Sequence, residues 1–212
     1  MYDKILMSEL YGEKYNGAHQ FGDVPGGFAD PEHYNRTERW NGIAEDLIHL
    51  LHPNTVLELG CGRGSLIKAF RDRGVEAEGI DISEWSIAHP IVPEIASFIR
   101  HQAAQDIEIT KTYDLIVALD IIEHIPYNFY PELFEKLQQV SSQVSLTVPL
   151  NKNGMKRFDS NWTIEHYVVL TKEDWEQEFK LRNYEIVNFE ATQTFPFDKK
   201  NPENYPFILR LK

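Results

Sequence analysis

The stretch Val56–Gly64, VLELGCGRG, limits what this chain can fold into more than any other. A run of strand-forming residues ends in glycines at 60, 62 and 64, and a helical pattern with Leu66, Ile67 and Phe70 on one face follows. Glycines at such a junction permit a tight strand-to-helix turn. They also let a ligand approach bare backbone beside the unpaired N–H groups of a helix start. A turn of this kind belongs to a layered α/β structure, so strands and helices should alternate through the rest of the chain.

The remaining pattern agrees. Asp30-Pro31-Glu32 has the marks of a helix start, and Ile43, Leu47, Ile48, Leu50 and Leu51 recur on one face, predicting a helix to about His52. Strands are expected at 55–59 and 76–81, with a weaker one at 97–101. The near-continuous apolar run YDLIVAL at 113–119 is expected to be a strand buried on both faces, and VSLTVP at 144–149 follows a helix at about 130–141. Gly74 should close the helix over 64–73, Ser83 should cap a short helix, and Thr171 one over 172–182. Segments 184–193 and 205–211 finish as strands joined only by a loop, which predicts antiparallel pairing. We expect one domain over 1–212: an irregular Gly- and Tyr-rich arm over 1–35, then a core over 36–212.

Composition narrows the partners. With 21 Lys plus Arg against 33 Asp plus Glu, the formal charge is −12, and the basic stretches at 71–73 and 152–157 are short. Nucleic-acid affinity rests on phosphate neutralisation, so a small or neutral substrate is favoured over a long polyanion. No apolar run approaches the ~20 residues that span a bilayer. The first residues lack an apolar signal core, and one cysteine, Cys61, fits a reducing compartment. Cytoplasmic location is the expectation, and oligomeric state stays open.

The glycine loop fits neither common phosphate cradle. A P-loop needs Gly-Lys followed by Ser or Thr, and a dinucleotide loop wants glycine at position 65, which is Ser65. Asp81, in GIDIS, lies 21 residues after Gly60, close to the offset of an acid that grips ribose hydroxyls. The same Asp could instead cap the helix after Ser83. Asp106 in AAQDI can accept an adenine amino proton, with Ile107 on the ring. Glu58 places negative character beside the loop, which suits a cationic ligand.

Taken together, these segments resemble the class I S-adenosylmethionine-dependent methyltransferases. VLELGCGRG resembles their first motif, GIDIS their second, AAQDI their adenine motif and YDLIVALDIIEHIP their fourth. The resemblance implies a Rossmann-like three-layer α/β/α sandwich. Its seven-stranded sheet, mostly parallel, would run in the order 3-2-1-4-5-7-6 with the last strand antiparallel. It implies S-adenosyl-L-methionine as cofactor. Gly60 and Gly62 would lie against its amino-acid part, with Glu58 ordering the loop. Asp81 would take the ribose hydroxyls, with Ile82 flanking the adenine and Asp106 and Ile107 binding its edge and face. Leu119 would close the site. Arg39 stands near where relatives place an arginine for the methionine carboxylate, with Arg36 as competitor.

The segment LDIIEHIP adds chemistry. Asp120, Glu123 and His124 follow the buried strand at the carboxyl edge of the sheet, where open α/β folds bind ligands. Methyl transfer requires in-line alignment, and a hydroxyl or ammonium nucleophile must lose a proton, for which His is the usual partner. Glu123 and His124 are therefore the candidate catalytic residues, resembling ubiquinone-biosynthesis O-methyltransferases and sugar N-methyltransferases. Their bland alternative is capping and orienting the loop. Small-RNA 2′-O-methyltransferases hold a divalent cation with a similar Glu-x-x-Glu-His set and later histidines. Here no histidine follows His166, so the expectation is no metal. Tyr15, His166 and Tyr167 are candidate acceptor-pocket residues. The expected function is methyl transfer to oxygen or nitrogen of a small molecule. A metal-assisted RNA-end enzyme and a non-catalytic cofactor-binding protein are the rivals.

Overall fold

The computed structural model describes residues 37–108, 110–151, 166–188 and 204–212. Among the described residues, five α-helices, α1 (Thr37–Leu51), α2 (Ser65–Arg71), α3 (Glu84–Ala88), α4 (Tyr130–Val140) and α5 (Lys172–Leu181), accompany seven strands. These are β1 (Thr55–Leu59), β2 (Glu76–Asp81), β3 (Ile99–His101), β4 (Leu115–Leu119), β5 (Gln143–Pro149), β6 (Tyr184–Ile186) and β7 (Asn204–Leu211). They form one sheet in the order β3-β2-β1-β4-β5-β7-β6. The pairs from β3 to β5 are parallel, and β7 runs antiparallel to both β5 and β6. The expected architecture and strand order are those observed.

Strand periodicity sorts the core into two faces. Leu57, Leu59, Ile116, Ala118, Phe207 and Leu209 point to one side, where α4 and α5 bury Phe134, Leu137, Trp175 and Phe179. Val56, Leu115, Val117 and Ile208 point to the other, against Ile43 and Leu47 of α1 and Leu66, Ile67 and Phe70 of α2. Burial on both faces explains why 115–119 reads as unbroken apolar sequence. Among the described residues no helix is long and apolar enough to cross a membrane.

The differences from expectation lie at element ends. The start expected at residues 30–32 lies outside the described residues, as do the arm and most of 150–165. The third strand keeps only Ile99–His101, because Pro93 starts a 3-10 helix that runs to Phe98. The sixth strand ends at Ile186, well short of 193. Asp106 closes a short 3-10 helix, Ala104–Asp106, rather than sitting in an open loop.

Helix α2 approaches β2 at Gly79. A β-carbon there would lie 2.6 Å from Cys61 Sγ and from Ile67 Cδ1. Both neighbours are buried, so neither can swing aside into solvent. We predict that Gly79→Ala destabilises the fold by about 1–3 kcal/mol through overpacking, read as a lower urea midpoint with unchanged slope.

Candidate active site

The loop between β1 and α2 is built from inside. Gly60, Gly62 and Gly64 have φ of +67°, +52° and +81°, in the left-handed region that side chains resist. At Gly60 the space is also taken, because Ile121 Cδ1 sits 2.0 Å from where a β-carbon would be. The N–H groups of Gly60 and Cys61 donate to the Ile80 carbonyl at 2.8 and 3.1 Å, and Gly64 N–H donates to Cys61 O at 2.9 Å. Gly62 N–H donates to Asp81 Oδ2 at 2.7 Å. These donors are consumed within the protein. The loop is not a phosphate cradle, which agrees with the missing P-loop and dinucleotide signatures.

Two buried carboxyls flank the loop. Glu58, 6 % exposed, accepts the backbone N–H of Ile67 and so caps α2, whose own N-cap, Gly64, has no side chain to do it. Burial, reinforced by the neighbouring Asp81 carboxylate, pushes Glu58 well above the ordinary carboxylate range. Asp81 accepts Ser83 N–H at Oδ1 and Gly62 N–H at Oδ2, each at 2.7 Å. Ser83 Oγ in turn accepts Ser86 N–H at 3.1 Å, so Ser83 is the cap of the helix and Asp81 holds the cap residue rather than capping the helix itself. That role does not exhaust the group. A carboxylate offers about four lone-pair sites, and two are filled. Burial raises the Asp81 pKa, and the two backbone hydrogen bonds oppose the rise.

Beyond Asp81 the chain ties the next two segments together. Gln102 N–H donates to Asp81 O at 2.9 Å, and Gln102 Nε2 donates to Asp106 O at 3.2 Å. Ile82 O receives a His101 ring nitrogen at 3.0 Å. Ile107, expected on an adenine face, is 2 % exposed and packed in the α4-side core. Leu119 ends β4 and packs toward α1 and α2. Arg39, near the start of α1, lies 5.2 Å from the Trp40 ring centroid. Tyr15 lies outside the described residues.

The third group is the turn after β4. Asp120 has φ +54°, unusual for a residue with a side chain, and a 3-10 turn, Ile122–His124, follows. Tyr130 OH donates to Ile122 O at 2.7 Å, and Tyr167 and Val168 N–H donate to Glu123 O at 2.8 and 3.1 Å. The second tie carries His166 onto His124, the rings meeting edge-on with centroids 4.7 Å apart. Glu123, His124 and His166 each place one donor atom within 4.8 Å of the others. Glu123 is 1 % exposed and its Oε2 has no partner. Burial, then the Asp120 charge, pushes Glu123 well above the ordinary range, and burial lowers His166. Tyr167 is half-buried beside them. Further on, Tyr127 OH donates to Glu178 of α5 at 2.9 Å and anchors the end of the segment.

Sequence reasoning passed over Ile121, which touches the glycine loop, and Thr147, which holds Asp120. Ile121 reads as one more apolar residue. Thr147 lies 27 positions from Asp120, and only the parallel pairing of β4 and β5 joins them.

A methyltransferase domain model (Methyltransf_23) matches residues 33–188. The chain belongs to this family. Among curated relatives, the ubiquinone biosynthesis O-methyltransferase of Pseudomonas paraeruginosa (strain DSM 24068 / PA7) is 33% identical over 78 residues. That match spans 34% of this chain and 34% of the relative, about a third of each. The crystal structure of magnesium protoporphyrin IX methyltransferase from Synechocystis PCC 6803 with bound S-adenosylmethionine has a TM-score of 0.66 at 15% identity, covering 100% of this chain and 98% of that one. Burkholderia thailandensis 1,6-didemethyltoxoflavin-N1-methyltransferase, bound to its namesake and S-adenosylhomocysteine, gives 0.64 at 16% identity, covering 84% and 80%. At these identities the two structures establish the shared fold.

The buried acids make the methyltransferase pH-sensitive. Glu58, Asp81 and Glu123 all hold protons more tightly folded than unfolded. Their contribution is present below the unfolded carboxylate value of about 4 and declines as pH rises through the raised folded values. Thermal unfolding of the ligand-free protein should therefore show stability falling above pH ~5, the slope set by the excess protons of the folded state. Glu123→Gln, which fixes the neutral form, should flatten that fall. An unchanged slope in the variant would show that Glu123 is ionised when folded.

Proposed function

We propose that this methyltransferase takes its methyl group from S-adenosyl-L-methionine and gives it to an oxygen or nitrogen of a small molecule. The observation that carries the reading is Asp81, held at the carboxyl end of β2 against the left-handed glycines with two acceptor sites to spare. Buried, unpartnered acceptors at Glu58 Oε2 and Gln102 Oε1 add to it, since they suit a ligand rich in donors and positive charge. In this reading Asp81 takes the ribose hydroxyls and Ile82 and Asp106 border the base, with Ile107 packed in the core behind them. Gly60, Gly62, Glu58 and Arg39 border the amino-acid part, with Leu119 at its edge. The acceptor enters past His166 and Tyr167. When bound, the cofactor would supply an electrophilic methyl on a sulfonium, the sulfur keeping the electron pair of the C–S bond that breaks. His124, held by the 3-10 turn, takes the acceptor's proton as the nucleophile's electron pair forms the new bond, and buried Glu123 holds the turn. The chain's charge of −12 suits a small acceptor rather than nucleic acid, and its single cysteine suits a cytoplasmic setting.

A second reading has its own observation. The donor atoms of Glu123, His124 and His166, within 4.8 Å of one another, would suit a divalent cation that takes the acceptor oxygen in place of a base.

Asp81→Ala should weaken S-adenosyl-L-methionine binding by roughly 2–4 kcal/mol in calorimetry, the scale of charge-assisted hydrogen bonds lost from a buried site. Wild-type affinity in that variant, or binding of NAD by the wild-type protein, would sink the cofactor assignment.

Screening cell extracts with labelled methyl donor identifies the acceptor and permits the second test. His124→Gln should leave cofactor affinity within about 0.5 kcal/mol while turnover falls ~10²–10⁴-fold, the yield of a positioned base. Wild-type turnover should survive chelation. Loss with chelator and recovery with Mg²⁺ or Mn²⁺ would transfer the role to the cation.

A further inference from the structure

We infer that Thr147 is a positioning residue for the Asp120–His124 turn, acting on the catalytic residues without touching substrate. Its place in the fold is unusual for a hydroxyl. Thr147 is 0 % exposed in β5, paired with Leu119 of β4 one residue before Asp120. Its Oγ1 accepts Asp120 N–H at 2.9 Å and donates to Asp120 Oδ1 at 2.7 Å. The carbonyl of Thr147 adds a longer contact to the same N–H, 3.3 Å. One side chain thus grips both the main chain and the side chain of one residue.

That residue is the one non-glycine position at this sheet edge, among the described residues, with left-handed backbone. Such strain persists only where the surroundings over-determine it, and Thr147 supplies two of the determining bonds. The direction the chain takes after Asp120 sets three things. It places Ile121 on the bare backbone of Gly60, it starts the 3-10 turn with Glu123 and His124, and it brings Glu123 O to the N–H groups of Tyr167 and Val168. Relaxing Asp120 toward ordinary φ would move all three together. Ser145, two residues earlier in β5, faces the same way along the strand but its Oγ is buried without a partner, so a hydroxyl on this strand does not find Asp120 by default.

The inference rests on the methyl-transfer reading only for its catalytic consequence, and holds whether a base or a cation acts in the turn. Thr147→Val keeps the shape and removes both hydrogen bonds; Thr147→Ser keeps the hydroxyl. Native-state hydrogen exchange on the full chain reads the clamp without an acceptor. The Val variant should expose the amides of Asp120, His124 and Ile125 about tenfold more than those of β1 and β4, as expected for lost hydrogen bonds at one place. Ser should restore them. With labelled S-adenosyl-L-methionine and the acceptor found by extract screening, kcat of the Val variant should fall roughly 10–100-fold, the cost of misplacing a catalytic group. KM and cofactor affinity should change less than kcat does, because the ties from the glycine loop to Asp81 and Ile80 stay in place. Uniform loss of protection across the sheet, or failure of the Val variant to fold alongside a Ser variant no better than Thr147→Ala, would make Thr147 a packing residue and overturn the inference. Wild-type kcat in a Val variant with a deprotected turn would do the same. A wild-type protein with no turnover defeats the methyl-transfer reading alone, and the exchange arm still decides on the clamp.

Discussion

The hydrogen bonds from Gly62 N–H and Ser83 N–H to one carboxylate, Asp81, are what the rest of this site depends on. They join the end of β2 to the loop after β1 and to the start of α3 through a single buried group. The loop contributes three left-handed glycines and could otherwise take many shapes. Tied to Asp81 and to Ile80 O, it takes one. Everything downstream is placed relative to it: α2 through Glu58, the Gln102–Asp106 segment through Asp81 O, and the post-β4 turn through Ile121.

The electrostatic cost of this arrangement is concentrated rather than spread. Glu58 lies close enough to Asp81 to feel its charge, and Glu123 feels Asp120 in the same way. In a low-dielectric surround two carboxylates do not both ionise freely, so protons are retained there. A cationic ligand beside the first pair would relieve that crowding and so couple binding to proton release. The molecule's net negative charge outside the site adds a weak attraction of the same sign.

Much of this was legible in the sequence, and for identifiable reasons. The glycine loop, the acid ending β2 and the unbroken apolar β4 are local signals, each set by residues within one element and its turn. Boundaries governed by backbone chemistry also agreed: Ser83 and Thr171 cap the helices they precede. The shortened third and sixth strands were less readable, because strand length depends on a neighbour's edge as well as on local propensity. Ile107 was expected at a ligand and lies in the core, since an apolar residue beside a motif looks the same in either place. Thr147 gave no local sign at all. A threonine in a strand is ordinary, and its partner is fixed only by which strands sit side by side.

The place of β7 has a consequence for how the chain is made. It follows the other six strands in sequence yet lies between β5 and β6, bonded to both. As synthesis proceeds, α5 and β6 emerge while the strand that joins them to the sheet is still unmade. Parallel β1–β5 can assemble first, leaving the apolar edge of β5 open and Phe179 and Tyr184 without the cover Phe207 provides. Closing that gap requires pairing over long sequence separations, which is slow. For that interval the nascent protein carries an exposed strand edge of the kind that recruits chaperones or other chains.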